Sequence, residues 1–211
     1  MYTAISLVLT AALLKQGWYF VFLPMLAGFL LVGPFLAVGL YDVSRALEQG
    51  RTPSLALALF AWRRNGAQIG LMALLLVLFL LSWIRVATLL FALFFGIGDF
   101  SAERFSLDTF WAIETLLFLV IGTAVGAGFA TVVFAVSAVS LPMILDRGTS
   151  PFDAIVASVL VIREHWQPMA LWAGLITALT LFGLVTFYVG LVVTLPLVGY
   201  ATWHAYRDLI R

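Results

Sequence analysis

The 211 residues are 64% hydrophobic and 10% charged, with a formal net charge of +1. Soluble domains carry about 25% charged residues, so this chain cannot clothe a water-facing surface, and its charge balance speaks against a nucleic-acid binder. It contains no cysteine, which excludes disulfides, iron–sulfur clusters, covalent c-type haem and zinc–thiolate sites within it.

Lipid must then be the solvent, and a lipid-facing backbone has to close its own hydrogen bonds as helices or as a barrel. The apolar runs are far longer than the ~10-residue alternating strands of a barrel. The expectation is an all-α, polytopic transmembrane helical bundle of about five to six membrane helices, a single membrane domain over residues 1–211.

The chain opens with a greasy run from Tyr2 to Leu14 that ends at "KQGW". At ~20 Å it falls short of a full span. Residues 1–18 read either as a short, partly inserted helix or, preferred, as the end of a longer span. No cleavable signal pattern is present. Tyr19 to about Leu47 makes one span and Ala67 to Ile97 another. A polar outer loop, "GDFSAERFSLD", covers 98–108. Thr109 to Leu145 is longer than one span and shorter than two. Met169 to Tyr206 fits two tightly turned helices, with a bend near 187–190 and Pro196 inside the second.

Two interruptions share one order. "ALEQGRTPSLALALF" from Ala46 and "ILDRGTSPFDAIVAS" from Ile144 each run acid, glycine, hydroxyl, proline. With Pro53 laid on Pro151, Gly50 meets Gly148, Glu48 meets Asp146 and Thr52 meets Ser150. Thr52 and Ser150 suit N-caps, with the prolines at the first helical position. Short helices are expected over 53–64 and 151–164. At ~18 Å they cannot cross, so they should lie in the cytoplasmic interface or pack under the bundle. This gives a parallel internal repeat, 19–97 and 109–190, followed by a last helix and cytoplasmic end at 191–211. Simple duplication of a well-packing unit and a transporter-like repeat both fit that pattern.

Arginines set the orientation. Arg45, Arg51, Arg63, Arg64, Arg147, Arg163 and Arg207 surround the interruptions and the chain end, whereas the 98–108 loop is acidic. By the positive-inside rule both interruptions and the C-terminus face the cytoplasm. Trp62, Trp166 and Trp203 should mark the inner interface, Trp18 and Trp111 the outer one.

Arg85 is the one charge deep in an expected span, where charge costs at least ~2.5 kcal/mol. Glu114 is its expected partner in an intramembrane ion pair. Such a pair would either pin two helices or line an ion or substrate path. Tyr41, Asp42, Ser44, Arg45, Asp146 and Arg147 could form an inner-face polar cluster where the repeats meet, with Asp42 and Arg45 one turn apart and able to pair. His165 and His204 could in principle ligate haem or another tetrapyrrole, though an interfacial histidine more often serves as a hydrogen-bonding partner. Gly122, Gly126 and Ala130 recur every fourth residue, a pattern that lets helices pack closely. No P-loop, HExxH or GxSxG is present. Catalytic residues, metal ligands and cofactors are therefore not expected; bound lipids are.

Three motifs in order, "GFLLVGPFLAVGLYDVSRALEQG", "FAVSAVSLPMILDRG" and "LPLVGYATWHAYRDLI", resemble a bacterial integral membrane family, "domain of unknown function 2189". The resemblance runs from Tyr19 to the C-terminus. It implies a fuller first span and a His-Ala-Thr-Trp-His ending, where this chain has Tyr200 for the first histidine. It implies no activity. Some members are loosely labelled cytochrome c oxidase subunit I, but haem–copper chemistry needs far more imidazole ligands than the two histidines here. The expectation is a non-enzymatic accessory or assembly subunit beside a larger, possibly respiratory, membrane complex. A partner protein or self-association would complete it. The rival is a small transporter or lipid-handling protein with a site at the repeat interface.

Overall fold

The computed structural model describes residues 33–34, 37–96, 112–186 and 189–210. Every element among them is helical. In chain order these are α1 (Val38–Glu48), α2 (Leu55–Phe60), a 3-10 turn (Ala61–Arg63), α3 (Gly66–Phe95), α4 (Ile113–Ser137), α5 (Ser140–Arg147), α6 (Pro151–Glu164), α7 (Trp166–Val185) and α8 (Leu191–Leu209).

Among the described residues three stretches are long and apolar enough to cross a membrane: Gly66–Phe95, Ile113–Arg147 and Trp166–Val185. Their outward faces are apolar, with Leu93 78% and Val185 76% exposed, as lipid-facing surfaces must be. The expected helix at 1–18, most of the 19–47 span, the 98–108 loop, Trp18 and Trp111 lie outside the described residues. α8, expected to cross, is not among the three. It turns polar towards its end with His204, Arg207 and Asp208.

α3 and α4 pack antiparallel. Trp83 lies over Gly126, where an added Cβ would come within 2.9 Å of the indole, and its ring centroid is 5.7 Å from that of Phe129. Towards the other end, Phe118 meets Phe91 and Phe95 edge-on at 5.9 and 5.2 Å. α7 and α8 form a tight hairpin, with Gly183 against Leu191. α8 lies along α1, where Gly199 makes room for Leu40.

The 109–145 run is not one straight helix. It breaks at Ala138–Val139. Pro142 is the sequence cause, since its ring clashes with the carbonyl four residues back and it offers no N–H. The break is also clasped from outside. In an unbroken helix Val139 N–H would bond the Ala135 carbonyl. Instead Val139 N donates to Ser158 Oγ at 3.3 Å, and Ser158 Oγ donates on to that carbonyl at 2.7 Å. A hydroxyl from α6 has entered the ladder, a recognised cause of a kink.

The two interruptions fold differently. The second matches expectation: Ser150 caps α6, accepting from Asp153 N at 3.2 Å, and Pro151 opens the helix. The first does not. Thr52 and Pro53 precede the helix, which begins at Leu55, ends at Phe60 and tightens into the 3-10 turn. Its fourth residue, Ala58, donates its N–H to the carbonyl of Ser54, the residue before the helix. No carboxylate stands where Asp153 stands in α6, so the Ser150–Asp153 pairing has no counterpart there. Both interruptions do turn on a left-handed glycine, Gly50 at φ +68° and Gly148 at φ +65°. α6 packs through fully buried Ala154 and Ser158, while Phe152 and Val156 are exposed.

The largest fully buried side chains gather where α1, α3, α5 and α8 meet. Ile69, Met72, Leu141, Ile144, Leu145, Trp203 and Tyr206 are all 1% exposed or less. Trp203 therefore belongs to the core and not to an interfacial belt, whereas Trp62 and Trp166 are exposed.

Candidate functional site: a polar junction of three helix ends

The C-terminal ends of α1, α5 and α8 converge on one spot. A helix C-terminus leaves unpaired carbonyls and partial negative charge, and each of these helices has an arginine in its last turn: Arg45, Arg147 and Arg207. Those arginines cross between helices. Arg45 Nε stands 3.2 Å from Asp146 Oδ1, and Arg45 Nη2 donates to the Asp146 carbonyl at 3.3 Å. Arg147 Nη2 donates to the Ile210 carbonyl at 3.2 Å. Asn65, entering α3, donates from Nδ2 to the Ile144 carbonyl at 2.7 Å.

Arg207 reaches both acids that the two interruptions align. Its Nε lies 3.3 Å from Glu48 Oε2 and its Nη1 3.5 Å from Asp146 Oδ2. Tyr206 Oη donates to the same Asp146 oxygen at 3.0 Å, and Trp203 Nε1 donates to Glu48 Oε1 at 2.9 Å. Beneath them Asp42, 2% exposed, faces Arg64 Nη1 at 3.4 Å. Tyr41, equally buried, shares a hydrogen bond with Thr202.

The anticipated cluster of Tyr41, Asp42, Arg45, Asp146 and Arg147 is thus brought together, with one correction. Asp42 and Arg45 do not pair with each other. Arg45 is drawn to Asp146 on α5 and Asp42 to Arg64, because α1 is wedged between those neighbours. The sequence reading missed Glu48, Asn65, Trp203, Tyr206 and Arg207 as members. A signal existed: positions 203, 206 and 207 fall at the i, i+3, i+4 spacing of one helix face. Chemically the junction is a clasp. Its acids already hold arginine, tyrosine and indole donors.

Arg85 and Glu114 are not brought together. Both are exposed, and neither forms an ion pair or hydrogen bond among the described residues. The aromatic register explains this. Trp83 against Gly126 sets Arg85 level with that glycine, whereas Glu114 lies about 12 residues, or ~18 Å, further along α4. His204 Nδ1 sits 3.8 Å from Glu48 Oε1; exposed His165 joins α6 to α7. No group of three metal-ligating side chains occurs among the described residues. Of the small-residue stripe, Gly126 lies under Trp83 and Ala130 packs on the core, while open space surrounds Gly122.

One family model, described as "Predicted integral membrane protein (DUF2189)", matches residues 21–146. No curated protein and no solved structure matches the chain.

Proposed function

Because this chain belongs to the DUF2189 family of predicted integral membrane proteins, we propose that it is a non-enzymatic inner-membrane subunit that packs against a larger membrane complex. The observation that carries this reading is Arg85. It sits on the outward face of an apolar 30-residue helix with no partner among the described residues. Charge exposed to hydrocarbon costs at least ~2.5 kcal/mol, and a neighbouring subunit offering an acid or carbonyls would remove that cost. Around Gly122 the surface of α4 is open, so another helix could come close there.

In this proposal the arginine-rich junction and the C-terminus face the cytoplasm. About five to six membrane helices form two parallel repeats, with α1–α2 and α5–α6 as corresponding corners. Their left-handed glycines and the Glu48–Arg207–Asp146 bridge support that correspondence.

Purification from native membranes in mild detergent, followed by mass spectrometry, tests the proposal. A membrane protein should co-purify with the wild-type chain and be lost with Arg85→Leu at unchanged thermal stability. The reading fails if nothing co-purifies, or if the complex survives the substitution. It fails in favour of a transport path if a cysteine at position 85 reacts with a membrane-impermeant maleimide in native membranes.

A further inference from the structure

A cavity of about 270 Å³ opens at the polar junction, lined by Arg45, Arg64, Asn65, Asp146, Arg147 and Gly148. Pockets for drug-sized ligands span roughly 300–1,000 Å³, so this one suits a smaller charged group. Its donors outnumber its acceptors. Asp146 is already held by Arg45, Tyr206 and Arg207. Arg64 contributes one N–H to Asp42 and Arg147 one to the Ile210 carbonyl. A guanidinium has five donors, and both side chains are exposed, which leaves most of them open to a ligand. Arg45 Nη1 is buried with no hydrogen-bond partner at all.

The backbone adds to this field. Asn65 occupies the N-cap position of α3 yet makes no capping bond; its side chain is turned to Ile144 instead. The positive end of a 30-residue helix therefore stands uncapped beside the cavity, with amides suited to an anion.

We infer that this cavity binds a phosphate group, gripped by the forks of Arg64 and Arg147 and backed by the first turn of α3. Arginine forks match phosphate oxygens in pairs. The group would arrive on the headgroup of an anionic lipid, or on a soluble phosphate. Basic pockets between membrane helices recognise headgroups in this manner. General attraction of arginine to a membrane surface is the competing account. The chain carries its own controls for that. Arg51 is tied to Gln49, Arg63 lies over Phe60 and Trp62, Arg163 ends α6, and all three lie outside the cavity lining. The inference is independent of the subunit role proposed above.

Native mass spectrometry of the full chain, delipidated and titrated with phosphatidylglycerol or phosphatidylcholine, tests it, with inorganic phosphate as competitor. Phosphatidylglycerol should be retained in preference to phosphatidylcholine. Arg147→Gln should weaken that retention about tenfold, the scale of one charged hydrogen bond, and Arg163→Gln should leave it unchanged. Arg64→Gln should act like Arg147→Gln; should it unfold by orphaning Asp42, the Arg147 variant still decides. Phosphate that competes at these residues assigns a soluble ligand, and phosphate that does not assigns the lipid. Equal retention of both lipids without phosphate binding overturns the inference. So does an equal loss with Arg163→Gln.

Discussion

Asp146 on α5 accepts from a tyrosine on α8 and meets two arginines, one on α1 and one on α8, which makes it the residue whose loss should be felt most. Asp146→Ala leaves the Arg45 side chain, 14% exposed, without its carboxylate. Removing one member of a buried pair costs about 3 kcal/mol or more. Thermal unfolding of detergent-solubilised protein should show that loss, whereas Glu48→Gln, at a carboxylate 30% exposed, should cost about 1 kcal/mol or less. Similar losses for the two would mean that the junction contributes no more than surface pairing. Membership of this cluster was partly legible in sequence, because polar residues inside so apolar a chain must find one another. The pairing was not. Which acid meets which arginine depends on the rotation of α1 between its neighbours, and hydropathy carries no information on rotation when both faces are covered.

At the scale of the element, legibility follows the strength of the local signal. α3 was expected over 67–97 and runs 66–95; α6 was expected over 151–164 and runs there. Each has a clear signal, a long apolar run for α3 and Ser-Pro-x-Asp for α6. The 53–64 helix was overextended because Thr52 and Pro53 resemble Ser150 and Pro151 without the carboxylate that completes the cap. Ser150→Ala should therefore cost about 1 kcal/mol, and Thr52→Ala close to nothing; the melting shifts of the two variants should separate cleanly. Glycines sort in the same way. Gly39 abuts the Ala58 backbone carbonyl, so Gly39→Ala must part α1 from α2 at about 1–3 kcal/mol. Gly70 faces open space, and Gly70→Ala should stabilise α3 by up to about 1 kcal/mol. The break before α5 was signalled by Pro142, but hydropathy alone runs straight through it.

Over the whole molecule, membership of lipid was dictated by composition, and the packing of α3 on α4 by aromatic rings against small residues. The failed Arg85–Glu114 pairing shows where such reasoning stops, since charge alone does not fix the depth of one helix against another. In the proposed orientation, single cysteines at positions 51 and 163, in a chain that otherwise has none, should react with an impermeant reagent only after the membrane is opened. Labelling of only one of them in sealed cells would place the two interruptions on opposite sides.

The Ser158 hydroxyl lodged between Ala135 and Val139 has a consequence in time. Synthesis delivers the 113–147 stretch before it delivers Ser158, so the helix is made before the group that holds its bend. Until then the Ala135 carbonyl and the Val139 amide have no hydroxyl to bridge them, and the bend rests on Pro142 alone. The clasp on the elbow is therefore added from downstream, by a residue that the growing chain does not yet contain.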